Sequence, residues 1–303
     1  MSKDYTLEQG DCCELIKGIP DGSIDCVVTD PPYLYLKHRL DRPFDEDTLF
    51  SEIDRVLKPD GMIAMFGRGE SLYRWCNKLS DLGMTYKEDI IWNKRYTSSP
   101  VLPLLRVHEN CVIYSKGNGK IRKRRVPYLE SKEHDIDSIV NDIKRVCVVL
   151  NNKKELKKVQ QFLEMNEGRK EELEQGGSYE CIYDEDNHCQ GISVSQDIKI
   201  RSRVIDSTAL ITYGAVEKDI IVMLAKRNSS IHPTQKPVRL MERIMALISD
   251  EGDTVLDPFA GSGSTAVSAI NTGRKCIAYE IDDEYYQAAS NRLEHHTVQP
   301  RLL

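Results

Sequence analysis

The sequence predicts an α/β protein built on a doubly wound, mostly parallel sheet that is interrupted by an α+β insert. Two stretches, residues 5–116 and 232–294, alternate apolar strand patterns with amphipathic helix patterns, which is typical of a sheet covered by helices on both faces. Between them the alternation stops, and a structureless loop of that length would be unusual in a compact domain. We therefore predict two halves of one domain, residues 1–116 and 231–303, and an insert at residues 117–230.

The first half predicts five strands and three helical segments. In chain order these are a strand at 5–11, a helical turn at 14–17, a strand at 26–28, a helix at 49–57, a strand at 62–66, a helix at 70–82 and strands at 86–92 and 110–114. The helices carry apolar residues at three- and four-residue spacing, whereas the strands are short apolar runs. We expect residues 58–61, Lys-Pro-Asp-Gly, to end the helix at 49–57, and the polar residues 34–47 to form a mobile loop beside the site.

A stiff turn, Asp30-Pro31-Pro32-Tyr33, follows the strand at 26–28. Proline fixes φ and has no N–H, and the residue before a proline is disfavoured in a helix. The turn is therefore predicted at the carboxyl end of a buried strand, where open α/β sheets bind ligands. A carboxylate, a backbone carbonyl and an aromatic ring held together suit a planar group that carries an NH2. A plain Asp-Pro turn with a core tyrosine explains these four residues alone equally well.

A glycine-rich loop follows the strand predicted at 254–257 and opens the next helix. Gly261 and Gly263 let the backbone approach a ligand closely beside the positive end of a helix. With the alanine three residues later, the loop fits the G-x-G-x-x-A pattern of dinucleotide-binding folds. Glu280 follows the strand predicted at 275–279, a position where an acidic side chain meets ribose hydroxyls. These residues predict a cofactor that contains a nucleoside.

The position of the glycine loop near the end of the chain predicts a circularly permuted sheet. Only 40 residues follow Gly263, enough for one further strand and helix, so the missing strands must be those before the insert. The strands before Asp30 and before the glycine loop then lie together at the centre of the sheet. An amine-binding turn beside a single nucleoside site favours group transfer over hydride transfer. A nicotinamide-dependent oxidoreductase is the alternative from a different class.

The chain of 303 residues has a net charge of −6 that is unevenly distributed. Residues 116–230 hold 21 Lys and Arg against 19 Asp and Glu, and the rest holds 21 against 29, so a polyanion would be met by the middle of the chain. The nine cysteines are odd in number and match no zinc spacing, so we predict neither a disulfide framework nor a metal site. Apolar runs fall short of the ~18 residues of a membrane span, and the first residues lack a signal peptide, which favours the cytoplasm.

Five motifs in order resemble the S-adenosylmethionine-dependent DNA amino-methyltransferases of the β arrangement. In that family the catalytic motif comes first, a target-recognition insert follows and the cofactor loop comes last. The motifs here are Gly-Asp at 10–11, Asp-Pro-Pro-Tyr at 30–33, His-Pro-Thr-Gln-Lys-Pro at 232–237, Asp-Pro-Phe-Ala-Gly-Ser-Gly at 257–263 and Glu280. The resemblance covers residues 5–116 and 228–294. It implies a seven-stranded, Rossmann-like methyltransferase sheet and a base flipped out of double-stranded DNA.

The resemblance also implies a role for each matching residue. Asp30 and the Pro31 carbonyl would accept the two N–H bonds of the flipped base, and Tyr33 would stack on its ring. The catalytic residues implied are Asp30, Pro31, Pro32 and Tyr33. The cofactor-binding residues implied are Asp11, Cys12, Thr234, Lys236, Asp257, Phe259, Ala260, Gly261, Ser262, Gly263, Ser264, Thr265 and Glu280. In that set Glu280 would hold the ribose and Asp11 would face the adenine. Thr234 and Lys236 would bind the carboxylate.

Two positions bear on the target atom. Asp30 stands where cytosine-N4 enzymes of the family commonly carry Ser, which favours adenine N6 as the acceptor. Leu34 stands where the family often has Asn, which leaves the rim of the pocket open. Cytosine N4, an RNA or protein amide, and a catalytically silent DNA-binding relative are the alternatives.

Basic residues near the turn and in the insert are candidates for phosphate contacts. They are Lys37, Arg39, Lys120, Arg122, Lys123, Arg124 and Arg125. A solvated loop explains the run at 120–125 equally well. His108 and Glu109 fit a catalytic pair or a structural turn at the edge of the site, and we favour the turn. A companion restriction endonuclease and the choice between monomer and homodimer stay open.

Overall fold

The computed structural model describes residues 4–34, 41–95, 103–133, 139, 214–224 and 235–296. The chain divides into two compact units. The sheet unit contains Met1–Lys123 and Lys218–Gln299, and the insert unit contains Arg124–Glu217 and Pro300–Leu303. Within the described ranges, no helix has the length and apolar character needed to cross a membrane.

Each strand and helix predicted for the two halves is present, with bounds that differ by a few residues. Before the insert the chain forms β1 (Tyr5–Gln9), α1 (Cys12–Leu15), a 3₁₀ turn (Ile16–Gly18), β2 (Ile24–Thr29), α2 (Glu46–Val56), β3 (Leu57–Gly67), α3 (Gly69–Asp81), β4 (Thr85–Asn93) and β5 (His108–Ser115). The insert unit contains β6 (Arg125–Val126), α4 (Tyr128–Ser131) and β7 (Ala215–Val216), and β6 and β7 form an antiparallel pair. After it come β8 (Ile220–Val222), α5 (Val238–Ile248), β9 (Thr254–Asp257), α6 (Ser264–Asn271), β10 (Lys275–Glu280) and α7 (Asp283–Glu294).

Eight strands of the sheet unit form one sheet in the order β1-β10-β9-β2-β3-β5-β4-β8. β5 runs antiparallel to both neighbours, and the other pairs are parallel. The predicted doubly wound, mostly parallel sheet is confirmed, and β8 adds an eighth strand to the expected seven. Ile220–Val222 lies in the range that the sequence assigned to the insert, yet it pairs with residues 91–93 of β4.

The two strands that carry the motifs lie side by side at the centre of the sheet. Cys26 of β2 is paired with Val255 of β9, and Val27 with Leu256. From β9 the sheet continues through β10 to β1, and from β2 it continues to β3 on the other side. The strand order therefore reverses between β9 and β2, which is the switch point where open sheets bind ligands. The predicted permutation of the sheet is confirmed.

Helices bury both faces of the central strands. Successive side chains of a strand point to opposite faces of a sheet. Cys26 and Val28 of β2 accordingly belong to one core cluster together with α5 and α6, whereas Val27 belongs to a second cluster together with α2 and α3. Burial on both faces explains why β2 is a continuous apolar run and not an alternating one.

Helix α2 ends at Val56, before residues 58–61, as predicted. These residues belong to β3, whose pairing with β2 is irregular: Ile24 pairs with Leu57 and Cys26 with Met62. The extra residues of β3 are taken up as a bulge, which suits the proline and glycine in this stretch. A Cβ on Gly61 would lie 2.8 Å from Cδ2 of Leu57, so the bulge packs too closely for a side chain there.

Candidate active site

A cleft of about 450 Å³ lies at the carboxyl ends of β2 and β9. Both sequence motifs open into it, the stiff turn after β2 and the glycine loop after β9. All four predicted catalytic residues line the cleft: Asp30, Pro31, Pro32 and Tyr33. Of the predicted cofactor-binding residues, it is lined by Asp11, Cys12, Lys236, Asp257, Phe259, Ala260, Gly261, Ser262, Ser264, Thr265 and Glu280. Thr234 lies outside the described residues.

The turn after β2 is fixed from two sides. The hydroxyl of Ser71 on α3 donates a hydrogen bond of 2.6 Å to the carbonyl of Tyr33. The hydroxyl of Tyr33 donates one of 2.6 Å to Oδ1 of Asp30. The ring of Tyr33 lies 6.3 Å from the buried ring of Trp75, at an interplanar angle of 59°. The tyrosine thus borders the cleft with its ring supported by the core and its hydroxyl on Asp30.

Leu34 adopts a left-handed backbone conformation, with φ of 63°. This conformation is unfavourable for a leucine and far easier for asparagine or glycine. The N–H of Leu34 donates to Oδ1 of Asp41 at 2.6 Å, which holds the strained residue in place. The departure from the family's asparagine therefore falls at a position where the backbone itself favours asparagine.

We expect Leu34→Asn to raise the free energy of unfolding by about 0.5–1 kcal/mol, because relief of backbone strain exceeds the loss of a half-exposed apolar side chain. Chemical denaturation measures the change. Leu82→Asn is the matched control: Leu82 is 38% exposed against 39% for Leu34, but its φ is −76°. Equal destabilisation of both variants would show that strain at Leu34 is negligible.

Four charged side chains form a row along the carboxyl edge of the sheet, which we call the charge row. They are Asp30 after β2, Lys236 before α5, Glu109 at the start of β5 and Lys94 after β4. The ammonium of Lys236 donates to Oδ2 of Asp30 and lies 3.0 Å from Oε2 of Glu109. The ammonium of Lys94 lies 2.8 Å from Oε1 of Glu109. Opposite charges therefore alternate along the row.

Lys236 of the charge row is buried among aromatic rings, whereas Asp30 and Glu109 are partly exposed at the cleft. Lys236 is 5% exposed, and its ammonium lies 4.8 Å from the ring centroid of Phe66 and 5.9 Å from that of Trp92. Our preference for a structural turn at His108 and Glu109 is wrong, since both residues begin β5. Because β5 is antiparallel, its first residues reach the carboxyl edge of the sheet, and Glu109 lines the cleft.

Burial and neighbouring charges act in opposite directions on the charge row. Burial raises the pKa of Asp30 above its usual range, and the nearby Lys236 only partly offsets this. Burial also opposes ionisation of Glu109, but Lys236 and Lys94 outweigh it and lower its pKa to about 2. Burial opposes the charge of Lys236, yet Asp30 and Glu109 raise its pKa well above the usual value. At Asp30 burial therefore outweighs the neighbouring cation, whereas at Glu109 and Lys236 the opposite charges outweigh burial.

The glycine loop presents backbone to the cleft where α6 begins. Gly261 and Gly263 have φ of 51° and 75°, in the left-handed region that favours glycine. A Cβ on Gly263 would lie 3.4 Å from the Cβ of Ala289 on α7. The guanidinium of Arg292 on α7 donates to the carbonyl of Ser262 at 2.8 Å. The loop is therefore held by α7 on one side, and Gly261, Ser262 and Ser264 line the cleft on the other, whereas Gly263 does not line it.

Glu280 ends β10 beside this loop. Its Oε2 accepts from the N–H of Gly261 at 2.8 Å, and its Oε1 accepts from the N–H of Asp282 at 2.8 Å. Each carboxylate oxygen can accept a second hydrogen bond. Burial raises the pKa of Glu280, although these backbone donors favour its ionised form. The side chain is thus a fixed acceptor at the wall of the cleft.

Asp257, the last residue of β9, is a buried carboxyl whose pKa is raised by burial to about 6. Because this pKa lies above the unfolded value of 3.8, ionisation destabilises the fold as pH rises from about 4 to about 6, and the cost is constant above that. Asp257→Asn removes the charge and keeps an acceptor for the N–H of Phe259. We expect the variant to be more stable at pH 8 by on the order of 2 kcal/mol and equal near pH 4.

Thermal unfolding followed between pH 4 and pH 8 measures this difference. Asp81→Asn, which alters an exposed carboxylate at the end of α3, should change stability equally little at both pH values. A loss of stability in Asp257→Asn at pH 8 would mean that the ionised carboxylate is favoured by hydrogen bonds after all.

Asp11, Cys12 and Cys13 bring three potential ligand atoms within 4.8 Å of one another. Burial raises the pKa of both thiols, which disfavours the thiolates that metals bind. Oδ1 of Asp11 accepts from the N–H of Cys13 at 2.8 Å and caps α1. These observations favour a helix cap at the wall of the cleft over a metal site.

Five of the predicted phosphate-contact residues lie within the described part of the chain. Lys37 and Arg39 lie outside the described residues. Arg122 follows the end of β5, at the edge of the sheet opposite the cleft, where its guanidinium donates to Asp250 at 2.8 Å. Lys120 and Lys123 beside it are exposed. In the insert unit Arg124 is half-buried, and Arg125 is exposed and donates to the carbonyl of Gly214 at 3.1 Å.

Two curated proteins match part of the chain closely. The type II methyltransferase M2.DpnII of Streptococcus pneumoniae is 51% identical over 63 residues, which are 21% of this chain and 24% of that protein. The DNA adenine methyltransferase YhdJ of Escherichia coli strain K12 is 52% identical over 63 residues, 21% of each protein. The match thus spans about a quarter or less of the length of these relatives.

Solved structures share the fold over nearly the whole chain. The M1.HpyAVI–SAM complex has a TM-score of 0.53 at 18% identity and covers 95% of this chain and 99% of that chain. The cytosine-N4-specific PvuII DNA methyltransferase has a TM-score of 0.56 at 16% identity and covers 98% of this chain and 88% of that chain. At such identities the likeness shows the fold alone.

The family model for the DNA methylases that act at N6 or N4 matches residues 24–291. This range includes the stiff turn after β2, the charge row, the glycine loop and Glu280. The resemblance found in the motifs is confirmed: this chain belongs to the N6/N4 DNA methylase family.

Proposed function

We propose that this protein transfers a methyl group from S-adenosylmethionine to the exocyclic N6 of an adenine flipped out of double-stranded DNA, and that it does so in the cytoplasm. The observation that carries the proposal is the shared cleft. Asp30 on the turn after β2 and the glycine loop after β9 open into one cavity of about 450 Å³. A nucleoside cofactor on the loop would therefore face an amine held by the turn.

The residues of the cleft fit S-adenosylmethionine. The glycine loop would lie along its methionine part, since Gly261 and Ser262 line the cleft. Glu280 would accept from the ribose hydroxyls with its remaining lone pairs, and Asp11 would face the adenine ring. The cofactor supplies a methyl group on a positively charged sulfur, which makes that carbon electrophilic. A solved neighbour of the same fold, M1.HpyAVI, forms a complex with this cofactor.

The turn after β2 would prepare the amine for attack. The lone pair of an aromatic amine is delocalised into the ring, so the free base is a poor nucleophile. Asp30 and the Pro31 carbonyl would each accept one N–H, which localises the lone pair and aims it along the line of transfer. The carboxylate would also stabilise the positive charge that develops on the nitrogen. Tyr33 would stack against the flipped base.

Adenine N6 is proposed over cytosine N4 because Asp30 occupies the position where Ser is common in N4 enzymes, and because YhdJ is an adenine enzyme by name. Lys37 and Arg39 are proposed to contact DNA phosphates, and the insert unit is proposed to read the DNA sequence. We also propose that a companion restriction endonuclease is a partner and that the protein is a monomer or a homodimer.

The test is methylation of unmethylated genomic DNA with S-adenosylmethionine labelled in its methyl group. We expect label in DNA, and N6-methyladenine when the digested nucleosides are identified by mass spectrometry. Label in N4-methylcytosine would replace the proposed acceptor, and no label in duplex or single-stranded DNA would reject DNA methylation.

A further inference from the structure

The carboxylate of Asp30 has more acidic neighbours than basic ones. The groups that face it are the hydroxyl of Tyr33 on its own turn, Lys236 before α5, Glu109 and Cys111 of β5, and Asp257 of β9. Two of these are carboxyl groups, and one is a cation. Without Lys236, the described surroundings of Asp30 would offer it only neutral or negatively charged groups.

A single ammonium is shared by two carboxylates in the charge row. Lys236 contacts Asp30 and Glu109 at once, and Lys94 neutralises Glu109 from its other side. The four charges sum to zero, as expected for ions that are removed from water. Glu109 and Lys94 lie on the side of Lys236 away from Asp30. They therefore influence Asp30 by holding Lys236.

We infer that Lys236 and Glu109 are positioning residues that act through Asp30: Lys236 keeps the Asp30 carboxylate ionised and directed into the cleft, and Glu109, itself held by Lys94, fixes Lys236. The inference rests on the proposed function, in which Asp30 accepts an N–H from the amine. A protonated Asp30 would present an O–H to the amine and lose an acceptor.

The first experiment measures the titration of Asp30 directly, without substrate. In protein labelled with ¹³C at the aspartate carboxyl carbons, Asp30→Asn identifies the Asp30 signal. The expected order of Asp30 pKa values is Glu109→Gln lowest, then the wild type, then the double variant Lys236→Met/Glu109→Gln, then Lys236→Met. The order follows because removal of Glu109 deletes a negative neighbour, removal of Lys236 deletes the positive one, and Lys236 lies closer.

The double variant guards against a folding failure. Lys236→Met alone leaves two buried carboxylates with one cation, which is strongly destabilising. The double variant keeps Asp30 and Lys94, so the net charge of the row is still zero. Lys236→Arg retains the positive charge, so Asp30 in this variant should titrate as it does in the wild type. Lys58→Met is the matched control, since it removes a lysine paired with Asp25 at the other end of β2, and it should leave the Asp30 titration unchanged.

The second experiment follows methyl transfer to DNA as a function of pH. The acidic limb of the wild-type profile should move to higher pH in the double variant and to lower pH in Glu109→Gln. A shift of one pH unit corresponds to a change of about tenfold in relative activity on that limb. A merely structural role would lower the whole profile without moving the limb in opposite directions.

The outcomes separate this inference from the proposed function. Identical Asp30 titrations in wild type, Glu109→Gln and the double variant would overturn the positioning role. If Lys236→Met or the double variant lost binding of S-adenosylhomocysteine while Asp30 titrated unchanged, Lys236 would bind the cofactor's carboxylate, as the family resemblance implies, and the inference would be overturned. Absence of methylation by the wild type would reject the proposed function and leave the titration to decide the role of the charge row.

Discussion

Asp30→Asn is expected to reduce methyl transfer by about a thousandfold, the scale of losing a charged group aimed at a developing charge. The amide keeps the shape of the side chain but presents N–H donors where the amine and Lys236 need an acceptor. Binding of S-adenosylhomocysteine should be nearly unchanged, because the proposed cofactor contacts come from the glycine loop and Glu280. Single-turnover transfer of a labelled methyl group measures the first effect, and calorimetry measures the second.

The matched control is Asp25→Asn on β2, the strand that precedes Asp30. Asp25 is a partly buried carboxylate at the opposite end of β2, bonded to Lys58 and to the N–H of Thr254. Its loss should affect stability and leave the rate of transfer close to that of the wild type. Wild-type transfer by Asp30→Asn would show that the turn after β2 does not hold the amine.

Glu280→Gln is expected to weaken cofactor binding by about 10- to 100-fold, the value of a hydrogen bond to a charged group. The carboxylate accepts N–H groups of Gly261 and Asp282, and it would accept the ribose hydroxyls as well. An amide NH2 placed there would face one of these backbone donors. Titration calorimetry with S-adenosylhomocysteine and with S-adenosylmethionine measures the loss.

Glu294→Gln, at the exposed end of α7, serves as its control and should bind both ligands like the wild type. The methyl-transfer rate of Glu280→Gln at saturating cofactor should recover to within a few-fold of the wild type. A variant that binds normally but transfers slowly would assign Glu280 a part in the chemistry and not in cofactor binding.

The central strands and the two loops could be predicted from the sequence because local rules fix them. Pro31 and Pro32 end the strand before them because proline has no N–H to donate to a sheet. Gly261 and Gly263 permit the left-handed backbone that begins α6. Each of these inferences depends on neighbours in sequence, and the structure bears them out.

The charge row could not be predicted in the same way. An apolar run does not reveal the direction of its strand, so residues 110–114 predicted β5 without showing that it is antiparallel. With a parallel strand Glu109 would lie at the far edge of the sheet, whereas the antiparallel direction brings it to the cleft. Lys236 had a motif but no sequence signal for its contacts with Asp30 and Glu109.

The direction of β5 also determines where the chain departs for the insert. β5 begins with His108 and Glu109 at the carboxyl edge of the sheet, where the cleft lies, and ends with Ser115 at the opposite edge. Changes in the length or sequence of the stretch that follows therefore act on the end of β5 that lies away from the cleft. If the insert unit reads the DNA sequence, target choice can diverge rapidly among descendants of this enzyme while the methyl-transfer apparatus is inherited intact.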